Sequence, residues 1–587
     1  MDLKISVIAL KDKLLYSAKL YPLASLFAFI FTTACIVLTN MDWPYASHNH
    51  IVWIDVSLAS SFGFFMIVAL YHWKKEIKVI GFGVLLSLIY FWSLPSAKEF
   101  VDVIMTTRHF VLIIMALLLL GVLPFMQQKN TNLRFWSWIL NILLALISSI
   151  AFGIILYAGL AGAIKATSVL FEFEVSWKYY EYLSILIFGI FSAHYFLSLL
   201  VQKPIEIDTS GEFYNSIGNF FVRYILTSIA SVYALILSGY VLKILFTFEW
   251  PSGVLVWLSL AFASLSLVTY LFWTPFSGRY RKMLIIAALI QLSMLFIAIY
   301  MRVSQYGWSS DRYMVTMLGI WFVLTFLYLV IVKKARYELP FALLVVLLFI
   351  SQYGWKLNSY WISDLSQANR LTILLNKNVK LSNKSPLQVR CDISSSIDSI
   401  DSHHNKELLD KTIPNIVKKY NAKSKKPYME TYNSNDFATF ATKELGFNYV
   451  NSWECQNKNT QKTDTSKTFF VTQNKEPLDI SGYDTLYDNR YNIIKIKTDS
   501  KEKQNTIVIK ENEQIIGEFD TTPFVKKLLK DSDDNITTQY LSTEQLTFVS
   551  ENSKVAIKVY FESLTVDKDG QVKNSNAILL IKKKLNQ

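Results

Sequence analysis

Up to about residue 355 the chain is a succession of long apolar runs separated by short polar connections. Beyond that point the runs shorten and begin to alternate. A run of about 20 apolar residues is long enough to cross about 30 Å of hydrocarbon as a helix. Eleven such runs occur: Leu20–Thr39, Ile51–His72, Ile77–Leu94, His109–Met126, Trp138–Gly162, Tyr182–Val201, Tyr224–Phe246, Val254–Phe272, Met283–Tyr300, Met314–Val332 and Leu339–Tyr353. A segment facing lipid must satisfy its own backbone hydrogen bonds, so each run is predicted to be a helix. An amphipathic helix is predicted at Ile362–Leu375, and a stretch rich in Asn, Lys and Ser follows, with helices near Lys406–Tyr420 and Asp436–Leu445. The period then changes to two in Thr468–Thr472, Tyr491–Lys497, Thr506–Lys510, Gln514–Phe519, Leu546–Ser550, Lys554–Val566 and Ala577–Lys582, which predicts strands. Lys568-Asp569-Gly570 reads as a hairpin turn between the last two. The predicted fold is an α-helical polytopic membrane protein of about 11 transmembrane helices with a C-terminal extracytoplasmic α+β domain. Residues 1–19 form a cytoplasmic segment, 20–355 the helical membrane domain and 356–587 a periplasmic α+β domain.

Composition agrees with the pattern. Of 587 residues, 52% are hydrophobic and only 18% charged, against about a quarter charged in soluble domains. That excludes a disordered chain, a collagen-like fibre and a simple soluble enzyme. Alternate connections differ in basic residues: those on one side, from Lys4 to Arg336, carry 17 Lys and Arg, and those on the other, from Lys98 to Arg312, carry 7. By the positive-inside rule the first side is cytoplasmic. An odd number of spans then places the tail outside, in the periplasm of a bacterium whose inner membrane holds the chain. The net charge of +13 is largely this sidedness signal, so nucleic acid is not an expected partner. The first apolar run is span-length and lacks a small-residue cleavage site, which marks it as a retained helix.

Candidate chemistry is sparse. The sequence contains no phosphate-binding loop, no H-E-x-x-H zinc motif and no G-x-S-x-G nucleophile elbow, and no cofactor is expected. Asp42, His48 and His50 lie in the first outer connection, where a carboxylate with two imidazoles could hold zinc or act on a lipid-linked donor. The loop is short and lacks a second acid, so an extended connection with unrelated polar residues explains it as well. Asp55 and His194 lie within spans. Desolvation makes such residues functional candidates, here a proton site of a transporter, while an interfacial carboxylate and a neutral bonded imidazole are the structural alternative. Cys35 suits a small apolar filler. Cys391 and Cys455 both lie in the tail, where an oxidising compartment permits a disulfide contributing about 4 kcal/mol by the chain-entropy argument.

An internal echo is more informative: Ser304-Gln305-Tyr306-Gly307-Trp308 and Ser351-Gln352-Tyr353-Gly354-Trp355 are the same pentapeptide. Each is expected at the outer end of a span, with Gly in the left-handed conformation ending the helix and Tyr and Trp in the headgroup layer. The first copy is flanked by Arg302, Asp311, Arg312 and Tyr313. Two guanidinium groups there could grip a phosphate or carboxylate, or pair with Asp311 to fix a loop.

These residues carry a family resemblance. Trp250-Pro251-Ser252-Gly253, Arg302-Val303-Ser304-Gln305-Tyr306-Gly307 through Arg312-Tyr313, Ser366-Gln367-x-x-Arg370-Leu371 and Ile480-Ser481-Gly482-Tyr483-Asp484 make the chain resemble a bacterial family of polytopic membrane proteins, domain of unknown function 4153. Trp308 and Ser309 stand where the pattern usually has a small apolar residue and Thr. The resemblance implies an inner membrane location and a multi-helix core, and supplies no reaction. It adds Gln367 and Arg370 to the residues that define the group. The expected function is a non-enzymatic protein that binds or senses a lipid or other amphiphile at the outer leaflet, in envelope maintenance. Arg302, Arg312 and Arg370 would bind anionic groups, with Tyr313 beside them and Tyr306, Trp308, Tyr353 and Trp355 lining the entrance. A transferase using a lipid-linked donor and a secondary transporter are the alternatives. Membrane lipids are the expected partners, with an envelope protein on the periplasmic domain as a further one.

Overall fold

The computed structural model describes residues 3–41, 48–94, 103–128, 131–206, 219–247, 254–276, 280–377, 381–423, 434–451, 455, 467–471, 480–488, 495–499, 504–511, 514–531, 538–553, 555–567 and 570–583. The chain forms two compact units. One comprises Met1–Leu375 with Ser396–Phe437, the other Asn376–Ser395 with Ala438–Gln587. The end of the apolar runs is therefore not the boundary between the units.

The first unit is a helical bundle. It opens with α1 (Leu3–Leu20), α2 (Pro22–Thr39), α3 (His48–Trp73), α4 (Ile77–Ser93) and α5 (Val103–Val122). There follow α6 (Asn132–Leu170), α7 (Trp177–Leu199), α8 (Phe221–Thr247) and α9 (Val254–Phe272). The last members of the bundle are α10 (Tyr280–Tyr306), α11 (Ser310–Ile331) and α12 (Glu338–Tyr353). All eleven apolar runs are thus helical. Among the described residues nine helices are long and apolar enough to cross a membrane, while α4 and α12, with 17 and 16 residues, are shorter apolar helices. The chain is a membrane protein on that count.

Helix α6 shows how the apolar face divides. Trp138, Ile142, Ala145, Ser149 and Gly153 form one buried stripe at helical spacing. Leu144, Ile147, Phe152 and Ile155 on the other side are each about half exposed or more. A helix apolar all round, with one stripe packed in protein, has an outer face suited to lipid. Buried polar groups in the bundle are bonded across helices: Tyr21 Oη meets His72 Nε2 at 3.0 Å, Trp138 Nε1 donates to Leu120 O at 3.0 Å, and Ser87 Oγ donates to Ala59 O at 2.7 Å. Beyond the far end of α11 the connection to α12 is held by Asn132, which donates to Ala335 O at 2.7 Å and accepts from Tyr337 N at 3.2 Å.

Five further helices follow the bundle: α13 (Ser359–Lys377), α14 (Leu387–Ser402), α15 (Lys406–Thr412), α16 (Pro414–Lys423) and α17 (Ser434–Glu444). The single helix predicted over Lys406–Tyr420 is two, because Pro414 disfavours a helical residue before it and Ile413 leaves the helical conformation, with φ −134°. Helix α14 was not evident from the pattern, since its buried Ile393, Ile397 and Ile400 are spaced among serines and aspartates.

The second unit is built on sheets. Strands β1 (Lys467–Val471), β2 (Thr485–Asp488), β3 (Lys495–Asp499), β4 (Gln504–Glu511) and β5 (Gln514–Asp520) precede α18 (Thr522–Asp531). After it come β6 (Thr538–Leu541), β7 (Thr547–Glu551), β8 (Val555–Val566) and β9 (Val572–Lys583). One sheet has the order β2-β9-β8-β1-β6 with β7 also on β8, and its β1–β6 pair is parallel; β3, β4 and β5 form a second, antiparallel sheet. The predicted alternating runs map onto seven of these strands; β2 and β6, of four residues each, are too short to show a period. In β8 the residues Val555, Ile557, Val559 and Phe561 are buried, and the phase then shifts to Leu564 and Val566. The register irregularity between Phe561 and Ser563 supplies the extra residue, a bulge that leaves Glu562 exposed. The turn after β8 closes with Asp567 N on Gln571 O at 2.9 Å and Gly570 at φ +81°; Lys568 and Asp569 lie outside the described residues. Cys391 and Cys455 are joined by a disulfide, with Cα atoms 5.9 Å apart.

Asn505 ties the two sheets' ends to this turn. Its Nδ2 donates to Gly570 O at 2.7 Å, its Oδ1 accepts from Val572 N at 3.0 Å, and the residue is fully buried. Asn505→Ala would leave two buried backbone groups unpaired, at about 1–3 kcal/mol each. Hydrogen exchange on the purified protein is expected to show faster exchange in β4 and at the start of β9, with the membrane helices unchanged.

Candidate functional site

The site grows out of a break between two helices. Helix α10 ends at Tyr306, where Gly307 N donates to Val303 O at 2.8 Å and Gly307 takes φ +74°, a left-handed cap. Two residues later Ser309 starts α11, its Oγ accepting from Arg312 N at 3.3 Å. Such a tight reversal leaves the carbonyls of Tyr306, Gly307 and Trp308 without helical partners.

Helix α13 and Arg312 of α11 satisfy them. Gln367 Nε2 donates to Tyr306 O at 3.1 Å and to Trp308 O at 2.9 Å, and Gln367 Oε1 accepts from Ser396 Oγ at 3.1 Å. Ser366 Oγ accepts from Trp308 N at 2.9 Å. Arg370 Nη1 donates to Tyr306 O at 3.2 Å, and Arg312 Nη1 to Gly307 O at 2.7 Å. Tyr313 Oη donates to Leu357 O at 2.6 Å, which fixes the approach to α13. A Cβ on residue 307 would come within 2.9 Å of Ser366 Oγ and 3.1 Å of Gln367 Nε2, so glycine is required by both conformation and space.

Around this turn the three arginines converge. The guanidinium carbons of Arg302, Arg312 and Arg370 each lie 5.8 Å from the centre of the Tyr306 ring. Arg312 and Arg370 each use an N–H on a backbone carbonyl. Among the described residues Arg302 has the Tyr306 ring as its contact, with neither a hydrogen bond nor an ion pair. A carbonyl accepts a hydrogen bond without neutralising the charge of its donor, so positive charge accumulates at the end of α10. Trp308 stands edge-on to Tyr313 at 6.4 Å.

The second pentapeptide copy ends α12 differently. Gly354 N donates to Ile350 O at 2.9 Å, but Gly354 has φ −71° and Trp355 takes the left-handed conformation, φ +46°. The expectation of a left-handed glycine therefore holds for Gly307 and not for Gly354. Gly354 is needed for space instead: a Cβ there would meet Ile350 O at 2.4 Å. Arg108 lies 5.7 Å from the Tyr353 ring and 5.3 Å from that of Tyr360 on α13.

A further group was not anticipated from sequence. Asp364, buried on α13, receives His403 Nδ1 on one oxygen at 2.5 Å and Asn405 Nδ2 on the other at 2.9 Å. The ring of Tyr360 meets His403 edge-on at 5.2 Å. The signal was the helical stripe Tyr360, Asp364, Gln367 and Leu371, in which an acid shares the face that packs.

The other candidates are scattered. Asp42 and Trp250–Gly253 lie outside the described residues, as does the side chain of His48; His50 is buried. No group of His, Cys, Asp or Glu suited to a metal occurs among the described residues. Asp55 is buried with Oδ1 unbonded, and His194 Nδ1 is bonded to Ile190 O of its own helix at 2.8 Å. No hydrogen bond among the described residues joins the two. Another buried imidazole, His109 on α5, is bonded to Tyr90 Oη and Ser61 Oγ at 3.2 Å each.

A family model, Domain of unknown function (DUF4153), matches residues 16–362, which include α2 to α12, both pentapeptides, Arg302 and Arg312. No curated protein and no solved structure matches the chain.

The clamp makes a prediction of its own. Gln367→Leu keeps the bulk but removes the donor to two carbonyls, at a cost of about 2–4 kcal/mol. Gly307→Ala adds strain of about 1–2 kcal/mol. Both are expected to lower the Tm of the purified protein, Gln367→Leu the more, while Gln305→Leu at the exposed neighbouring position leaves it unchanged.

Proposed function

For a chain that belongs to the DUF4153 family, whose defining model names no reaction, we propose a binding function: recognition of the anionic headgroup of a lipid or other amphiphile at the outer leaflet, on the arginines around Tyr306. The observation that carries this reading is the convergence of three guanidinium groups on one tyrosine ring, with Arg302 having no acceptor among the described residues. Like charges held this close repel, and an anion between them would relieve the repulsion. A phosphate suits the site because guanidinium offers paired N–H donors that match two oxygens. Tyr306 and Trp308 belong to the residue types that favour the headgroup layer. The excess of Lys and Arg in the alternate connections supports an orientation with this end of the bundle, and the tail, facing the periplasm.

A second reading, a carrier coupled to protons, rests on Asp55, whose buried oxygen lacks a partner in the helix α3. It requires that Asp55→Asn abolish a pH-dependent flux in proteoliposomes while leaving lipid binding intact.

The direct test compares lipids retained by the detergent-purified protein with those retained by Arg302→Gln. This variant removes the one arginine of the three that holds no backbone. Mass spectrometry is expected to find an anionic amphiphile enriched in the wild type and reduced about tenfold in the variant, the loss of about 1.4 kcal/mol. The two proteins should melt alike. Identical, bulk-membrane lipid in both would reject the binding function.

A further inference from the structure

The repeated pentapeptide builds two stations rather than one. At the first, Tyr306 carries Arg302, a guanidinium with no acceptor among the described residues. At the second, Tyr353 and Tyr360 cover Arg108 at 5.7 and 5.3 Å, and Arg108 Nε is buried without a hydrogen-bond partner among the described residues. Stacking on a ring uses the face of a guanidinium and leaves its N–H edge for an acceptor. The nearest acid on the packed helix, Asp364, does not serve, because its oxygens are taken by His403 and Asn405. Lys356 lies over the ring of Trp361, the residue next to Tyr360, at 5.8 Å.

One helix connects them. Tyr360, near the start of α13, touches the second station, and Gln367 and Arg370 on the same helix touch the first. At 1.5 Å per residue the stations are about 10–15 Å apart along the helix. A diphosphate is far too short to span that distance. A headgroup of two sugar rings with a phosphate on each is of the right length.

We propose that Arg108, Tyr353 and Tyr360 form a second anion site, and that the ligand is a single amphiphile whose headgroup carries two phosphates spaced to engage both stations. This rests on the binding function proposed for the first station. Two separate lipids, each with one phosphate, would present the same chemistry to the two stations, and the experiment separates the cases.

The test is native mass spectrometry of the full chain in detergent, titrated with a diglucosamine bisphosphate lipid or its monophosphate counterpart. Wild type is compared with Arg302→Gln, Arg108→Gln and the double variant. One bisphosphate lipid per protein is expected, bound at least tenfold more tightly than the monophosphate, since the second contact is intramolecular. Each single variant should bind the bisphosphate lipid about as weakly as the wild type binds the monophosphate, and the double variant should lose binding. Arg108→Lys, which keeps the charge and loses the stacked plane, should bind more tightly than Arg108→Gln. If Arg302→Gln weakens binding and Arg108→Gln does not, the second station is wrong and the first stands. If neither changes binding, both are wrong. Two monophosphate lipids bound at once, each lost independently, would overturn the single two-headed ligand.

Discussion

Between α10 and α11 the chain must reverse in three residues, and the carbonyls at that reversal have no helix to bond to. Inside or beside a membrane an unbonded carbonyl is costly, because water is scarce there. The side chain of Gln367 answers this, one amide donating to two of those carbonyls while its own oxygen is held by Ser396. Ser366, Arg312 and Arg370 complete the set. The position of α13 follows from this bonding, since its residues 366, 367 and 370 have to meet a fixed stretch of backbone.

The chemistry of the site is a by-product of that support. Arg312 and Arg370 come close because both reach for carbonyls of the same turn, and each brings a charge that the carbonyl does not cancel. Arg302, one helical turn before Tyr306, then joins them without a structural bond of its own. Two of the three arginines bond the backbone of the turn, and Arg302 does not. Arg302 is the one whose removal leaves the fold least affected. The same helix α13 places Tyr360 against Arg108, so one element that repairs a broken backbone also sets the spacing of two charged stations.

Much of this was legible as residue types. The pentapeptide echo, the flanking arginines and Gln367 with Arg370 could all be read from the chain, and the apolar runs became the helices they predicted. What the pattern missed has identifiable causes. Asp364 and His403 are separated by 39 positions, and neither stands in a motif. Arg108 looked like one of the few basic residues in an outer connection, and its contacts with the Tyr353 and Tyr360 rings appear only in the tertiary structure. Asp55 and His194 were both candidates because each is an ionisable group within an apolar run; hydropathy does not show that His194 bonds Ile190 O of its own helix. In the tail, the bulge at Glu562 moves the buried phase of β8, an event a strict two-residue period does not contain.

The sequence by itself determined the class of protein: apolar runs of membrane length, a tail with period-two strands, and two copies of a helix-ending pentapeptide with arginine beside one of them. These are local properties, set by hydropathy and by the conformational freedom of glycine, and they need no knowledge of neighbours. Only the tertiary structure decided which glycine turns left-handed, which arginines bond backbone and which remain without an acceptor, and which tyrosine meets which guanidinium. The physical reason is that hydrogen-bond satisfaction and charge balance are pairwise quantities. They depend on groups that approach from 44 to more than 250 positions away, here Leu357 on Tyr313 and Arg108 on Tyr360.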